Sequence, residues 1–283
     1  MADTVGEALR LGRARLLAAG SPTAMLDARL LLQEAADLSH EQVVAEPDAA
    51  LTPVESDCYA AMLARRERGE PVSRIIGRRE FFGRDFVVTP DVLDPRPDTE
   101  TLIDLVLRMA GELSQVRVLD LGTGTGILAV TLLAEWPDAR GLATDVSPAA
   151  LAVARANAEA HGVHARLSFH QGDWFSGLDG QFDVIVSNPP YIPSAAIAGL
   201  DRGVKDHDPR AALDGGADGL APYRVIAAAA KAHLRPGGVV AVEFGAGQAE
   251  AVADIFHGAG FARWGEGVDL GGHVRCAAFE AIY

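Results

Sequence analysis

Apolar residues follow two rhythms along the 283-residue chain. Up to Gly69 they recur at helical spacing. A segment from Thr4 to Ala19 is stopped by Gly20, and a second runs from Thr23 to Leu38. In the second, Met25, Leu26, Leu30, Leu31 and Leu32 supply more apolar surface than one stripe needs, which predicts a helix buried among neighbours. Thr52-Pro53-Val54-Glu55 is a helix start: Thr52 caps, Pro53 takes the first helical position and Glu55 reaches back. Phe81 to Val88 is aromatic and β-branched around Gly83, which predicts a short hairpin. Pro95 and Pro97 then stiffen the entry to a helix from Asp98 to Gly111. Beyond it, short β-branched runs near 117–121, 140–145, 166–170, 182–187 and 238–244 alternate with helical stretches near 126–135, 148–161 and 220–234. Alternation of this kind predicts an α/β doubly wound sheet, and strands at Phe261 to Val268 and Val274 to Ala281 would bring it to seven. A helical module over residues 1–75, a hairpin linker over 76–98 and a sheet domain over 99–283 are the expected divisions.

Two segments in the sheet region carry chemistry. Val116-Arg117-Val118-Leu119-Asp120-Leu121 breaks into Gly122-Thr123-Gly124-Thr125-Gly126, a strand that opens through a glycine loop into a helix. Alternate glycines permit positive φ and close ligand approach, while the helix directs free N–H groups at the ligand. The spacing Gly-x-Gly-x-Gly departs from the dinucleotide pattern Gly-x-Gly-x-x-Gly, which argues against a dehydrogenase. A second strand ends at Asp145, a carboxylate placed to accept hydrogen bonds from ribose hydroxyls, so a phosphate-free adenosine ligand fits both features. The other segment is Asn188-Pro189-Pro190-Tyr191, at the end of the run Phe182 to Ser187. Two prolines cannot extend a central strand, so the chain leaves the sheet there. The Asn188 carbonyl and a freed backbone carbonyl can each accept a hydrogen from a planar NH2 group, and Tyr191 can stack on it. Ile192 to Gly219 follows without a clear pattern, and a substrate-side lid is expected, disorder being the other reading.

Together these residues resemble the class I S-adenosylmethionine-dependent methyltransferases. The likeness extends to Pro71-Val72-Ser73-Arg74-Ile75-Ile76-Gly77, Glu80-Phe81-Phe82-Gly83, Val92 to Glu100 and Asp208 to Leu220, which are similar to the HemK-like protein-(glutamine-N5) methyltransferases. Asp94 stands where that family usually has an apolar residue, and Asp98 where it usually has Glu. The resemblance implies a Rossmann-like seven-stranded fold with a small N-terminal helical bundle for substrate recognition. It implies S-adenosylmethionine as methyl donor and the Gly-Gly-Gln motif of class I peptide chain release factors as substrate. Gly122, Thr123, Gly124, Thr125 and Gly126 would surround the methionine end, Asp145 the ribose and Trp174 the adenine. Asn188, Pro189, Pro190 and Tyr191 would hold the substrate and carry catalysis, with Asn188 also beside the cofactor.

Composition narrows the alternatives. A formal charge of −14 would on average repel phosphate, and only 6% of residues are aromatic, so direct nucleic-acid binding is not expected. An adenine or guanine amino-methyltransferase is the alternative, and it would want a basic recognition module. Arg65, Arg66, Arg68, Arg74, Arg78, Arg79 and Arg84 do cluster in sequence, either as a solvated helix end or as a docking surface. The eight histidines form no metal or hydrolase pattern, and Cys58 and Cys276 stand far apart, so neither metal nor disulfide is expected. No membrane span and no basic leader head are visible, which predicts a cytoplasmic protein, expected to act as a monomer.

Overall fold

A computed structural model describes residues 3–110 and 115–282. The chain divides into two compact units, one running to Arg78 with Asp201–His207 added, the other Arg79–Leu200 with the remainder from Asp208.

The first unit holds α1 (Val5–Ala18), α2 (Ala24–Ala36), α3 (His40–Ala45), α4 (Pro53–Glu67) and α5 (Val72–Ile76). The sequence-predicted start of α4 is observed: the Thr52 side chain accepts from Glu55 N, and the Glu55 carboxylate accepts from Thr52 N at 2.7 Å. Leu16, Leu31, Leu32, Tyr59 and Leu63 form the core. Met25 and Leu26 do not join it, being 51% and 44% exposed, so α2 buries one face only. The short helices α3 and α5 escaped the sequence reading because neither spans two turns, too little for a period to show. The arginine run is largely spent internally: Arg65 pairs with Glu70, Arg66 with Asp27 and Arg78 with Glu34.

The second unit begins one residue into the hairpin β1 (Arg78–Phe81) and β2 (Arg84–Val87), which is turned by Phe82 and Gly83 at φ 51° and 71°. Positive φ at both central residues matches the twist of the flanking strands. Arg84 is paired with Glu135. Then follow α6 (Glu100–Ala110), β3 (Arg117–Leu121), α7 (Ile127–Glu135), β4 (Arg140–Asp145), α8 (Pro148–Ala160), β5 (Leu167–Gln171) and β6 (Phe182–Ser187). The expected end of α6 at Gly111 lies outside the described residues. A four-residue helix, α9 (Arg202–Lys205), falls in the segment that clusters with the first unit. The chain closes with α10 (Ala221–Ala230), β7 (Leu234–Glu243), α11 (Ala249–Gly258), β8 (Phe261–Val268) and β9 (Val274–Ala281).

Seven strands lie in the order β5-β4-β3-β6-β7-β9-β8, parallel except that β9 runs antiparallel to both neighbours. This is the doubly wound Rossmann-like sheet that the sequence predicts. Alternate side chains feed opposite cores: Val118, Val184, Val186, Val239 and Ala241 pack with α6 and α7. Leu119, Ile185, Val240 and Val242 pack with α10 and α11. Continuous apolar strands are therefore explained by burial on both faces.

Two expectations need correction. The helix expected over 220–234 ends at Ala230, and the strand expected near 238–244 is β7, which begins already at Leu234, ahead of Pro236-Gly237-Gly238. They sit in a bulge, where Phe182 and Val184 of β6 face Leu234 and Val239. A bulge absorbs a proline that a regular central ladder could not. α11 also went unread, although Val252, Ala253 and Phe256 mark its buried face. Among the described residues no helix is long and apolar enough to cross a membrane.

Candidate active site

Both signature segments leave the sheet at the carboxyl ends of adjacent strands, β3 and β6, with Leu121 opposite Ser187. Strand order reverses between this pair, the place where open α/β sheets bind ligands.

Gly122 and Gly124 have φ of 69° and 53°, and a Cβ built on either meets nothing within 4 Å. Their conformation suits glycine, and their open side leaves backbone for a ligand to approach. Gly126 has a different duty: at φ 82° it begins α7, and a Cβ there would lie 3.1 Å from that of Ala154 on α8. The loop is anchored on both sides. Thr123 N donates to Thr144 O at 2.8 Å, and the Thr123 hydroxyl donates to Asp120 Oδ2 at 2.6 Å. Asn157, fully buried on α8, donates from Nδ2 to the carbonyls of Thr125 and Val87 and accepts from Val87 N.

Asp145 receives Gly124 N–H on Oδ2 at 3.0 Å and Ser147 N–H on Oδ1 at 2.9 Å. Each oxygen keeps a lone pair for a ligand. A cavity of about 610 Å³ opens here, within the size range of small-molecule sites. Thr123, Thr125, Asp145 and Trp174 line it together with Gly122 and Gly124, and Asn188 and Pro190 close it from the β6 side. Gly126, Pro189 and Tyr191 are not among its lining residues. Trp174 holds a left-handed backbone at φ 49°, unusual for a bulky residue, and packs its half-buried ring on the α10 side of the core.

Asn188 donates from Nδ2 to Thr99 Oγ1 at 3.3 Å. The Tyr191 carbonyl accepts from Gln248 Nε2 at 3.1 Å, and burial holds its phenol above the ordinary pKa, with Glu243 adding to the rise. Tyr191 is therefore a neutral ring. The stretch after it is ordered into short turns instead of lacking structure. Ile192 N donates to Leu213 O and Gly215 N to Ile192 O, so Leu213 to Gly216 pairs alongside the tetrapeptide's exit. Arg96 and Asp94 N both reach the fully buried Asp208 carboxylate, at 2.7 and 3.2 Å, joining two of the segments that carried the family resemblance. Asp98 pairs with Arg275 at 2.6 Å.

Sequence reading missed Thr99, Asn157, Gln248, Arg275 and two buried acids. Asp120 and Glu243 are both inaccessible, each a lone carboxylate at the end of an apolar strand, which was the available signal. Burial pushes Asp120 up to about 7 against the hydrogen bonds from Thr123 and Ala129, with Asp145 adding to the rise. Burial likewise pushes Glu243 up to about 7, opposed by Thr99, Arg275 and Asn188 and reinforced by Asp98. A raised carboxyl pKa means that the folded state binds protons the unfolded chain has released. Stability should therefore fall as pH rises from the ordinary carboxylate range to about 7, then level off. Asp120→Asn keeps both hydrogen bonds as an acceptor and should flatten its share, on the order of a few kcal/mol. Denaturant unfolding of both proteins between pH 5 and 8 measures this; parallel curves would remove Asp120 from the titration.

Residues 7–77 match the profile of the PrmC N-terminal domain, and residues 96–199 that of the methyltransferase small domain. A release factor glutamine methyltransferase of Rhodospirillum rubrum is 48% identical over 96% of this chain and 83% of its own length. One from Agrobacterium fabrum is 45% identical over 98% of this chain and 97% of its own. The chain belongs to the release factor glutamine methyltransferase family. A solved ribosomal protein L11 methylase from Lactobacillus delbrueckii subsp. bulgaricus is also similar, with a TM-score of 0.49 and 20% identity over 72% of this chain and 89% of that one. In this release factor glutamine methyltransferase, the glycine loop, an anchored Asp145 and Asn188 stand on the walls of one cavity.

Proposed function

We propose that this chain transfers a methyl group from S-adenosylmethionine to the side-chain amide nitrogen of the glutamine in the Gly-Gly-Gln motif of peptide chain release factors. The observation that carries the reading is Asn188 facing, across one cavity, a glycine loop whose open side is bare backbone. The glycine loop offers open backbone to the methionine end, the spare lone pairs of Asp145 suit the ribose, and Trp174 offers an aromatic wall to the adenine. S-adenosylmethionine, when bound, supplies an electrophilic methyl group on a sulfonium that leaves as a neutral thioether.

A glutamine amide is a weak nucleophile because its nitrogen lone pair is delocalised into the carbonyl. The protein's work is to position it. Asn188 Oδ1 accepts one amide hydrogen and the Pro189 carbonyl the other, which turns the nitrogen to the cofactor side. Fixed dipoles and proximity of this kind are worth several kcal/mol, roughly, without any general base. Tyr191 gives the planar amide a neutral ring to lie against. Methylation of adenine or guanine is disfavoured by the charge of −14 and by the family. The protein is read as a cytoplasmic monomer, and residues 1–75 as its recognition module.

Mass spectrometry of a co-expressed release factor should find one added methyl on the Gly-Gly-Gln glutamine. Label from the methyl donor appearing in nucleic acid and not in release factor would overturn the assignment. Asp145→Ala should weaken S-adenosylmethionine binding by about 1–3 kcal/mol through lost charged hydrogen bonds. Calorimetry with equal affinities would take Asp145 out of the site.

A Gly-Gly-Gln tip offers little surface, so selection of a release factor over other glutamines needs a second, protein-sized contact. The helical module presents exposed apolar side chains at Leu11, Leu17, Met25 and Leu26. Glutamate at these positions should raise KM for intact release factor about tenfold and leave turnover of a short Gly-Gly-Gln peptide where it was. Equal effects on both substrates would assign the module a structural role.

A further inference from the structure

We propose that Glu243 positions Asn188 through Thr99, fixing which end of the Asn188 amide faces the reacting nitrogen. The inference rests on the reading that Asn188 Oδ1 accepts a substrate hydrogen, and deepens it.

The two ends of an asparagine amide have nearly the same shape and opposite hydrogen-bonding sense. Turned over, Asn188 would present donors to a substrate NH2 group that is itself a donor. Selectivity therefore depends on what lies behind the side chain. Behind it is Thr99, wholly buried in the 3₁₀ turn leading into α6, whose Oγ1 receives Asn188 Nδ2 at 3.3 Å. A hydroxyl that accepts one bond has a hydrogen to pass on. The group placed to take it is Glu243, the last residue of β7, 1% exposed. Neither Glu243 oxygen completes a hydrogen bond of good geometry, yet Thr99 and Asn188 stand close enough to lower its pKa.

Of the remaining neighbours, Arg275 on β9 pairs with Asp98 at 2.6 Å and lies 3.5 Å from Asp269, and its charge also favours ionised Glu243. The Tyr223 hydroxyl on α10 is spent on the Glu243 backbone carbonyl at 2.8 Å. Cys276 sits opposite Glu243 across the β7–β9 pair. Asp98 contributes only like charge.

Once ionised, Glu243 offers acceptors alone, and this corner is then satisfied only when Thr99 turns its hydrogen and Asn188 its NH2 inward. Oδ1 is then left for the cavity. Burying an acid in a strand end otherwise apolar costs stability that a leucine would not, which is why a positioning role is the better account. Hydrogen bonds of this kind are often long in a free enzyme and tighten around substrate.

The test is a double-mutant cycle on the full-length protein, read by single-turnover methyl transfer to release factor at saturating substrate. Glu243→Leu and Thr99→Val should each slow transfer about 10- to 100-fold, with S-adenosylmethionine affinity by calorimetry held within about twofold. Glu243→Gln, which keeps an acceptor for Thr99, should recover most of that loss. In an Asn188→Ala background neither Glu243→Leu nor Thr99→Val should slow the reaction further, because the residue they act through is gone. Losses that multiply with that of Asn188→Ala would overturn the proposal, as would wild-type rates for Thr99→Val. Thr99→Val changes one hydroxyl to a methyl, so it keeps the test decisive if Glu243→Leu does not fold. Wild-type activity of Asn188→Ala by itself would instead sink the underlying assignment of Asn188.

Discussion

Alanine at position 188 is expected to slow methyl transfer about 10²–10³-fold, the usual consequence of removing one preorganised polar contact from a reacting centre. Folding and cofactor affinity should change little. Asn188 is half-buried and lies beyond the end of β6, so its truncation leaves the sheet ladder intact. The glycine-loop side of the cavity, Gly122 to Thr125 with Asp145, is anchored independently through Asp120, Thr144 and Asn157. Loss should therefore appear in kcat at saturating substrate, with KM for release factor little altered, since the proposed protein-sized contact is on the helical module. Asn188→Asp should not rescue the rate: it keeps an acceptor but sets a carboxylate beside the corner that already holds Glu243 and Asp98. Single-turnover rates equal to wild type in Asn188→Ala would show that the amide is oriented by something else.

What the sequence made legible was whatever is written in a period or a local motif. The alternation of β-branched runs with helical stretches is a direct print of burial on both sheet faces, and from it the seven strands could be read. Gly122 to Gly126 and Asn188 to Tyr191 were readable because each combines a strand end with residues that cannot continue the strand. The missing pieces were long-range. Thr99 and Asn188 are 89 residues apart in sequence, and Asp98 and Arg275 are 177 apart. No local pattern announces such pairs. Glu243 and Asp120 could have been suspected as single acids closing apolar runs, yet only the packing shows which neighbours they face. In the stretch after Tyr191, which the sequence leaves without a pattern, the glycines and aspartates of the Leu213 to Gly219 part serve backbone pairing and close-packing that depend on partners distant in sequence.

Gly219 is the residue in which that close-packing is most exposed to test, and Gly219→Ala should be the most destabilising small substitution near the site. Gly219 has φ 76°, and a Cβ added there would run into the Tyr191 carbonyl oxygen, with Gln248 Nε2 at 2.9 Å and Pro193 Cδ at 3.2 Å. Gln248 is already held there by donating to Tyr191 O and Gly219 O, so neither neighbour can withdraw cheaply. The left-handed backbone by itself costs an alanine on the order of 1–2 kcal/mol. The collision with backbone should bring the total to about 3–4 kcal/mol, and it pushes on the peptide that follows Tyr191. Gly237 supplies the control: its φ is 77° and a Cβ there meets nothing within 4 Å, so Gly237→Ala carries the backbone cost alone. Denaturant unfolding of the two variants should place Gly219→Ala at least ~1 kcal/mol below Gly237→Ala, since overpacking adds that much or more. The transfer rate should drop only in Gly219→Ala, because a shift of the Tyr191 carbonyl moves the residues proposed to hold the substrate amide, whereas Gly237 lies in the β7 bulge at the opposite end of the strand from Glu243. Equal destabilisation of the two variants, with equal rates, would mean that the turn at Gly219 yields and that the tetrapeptide does not depend on it for its position.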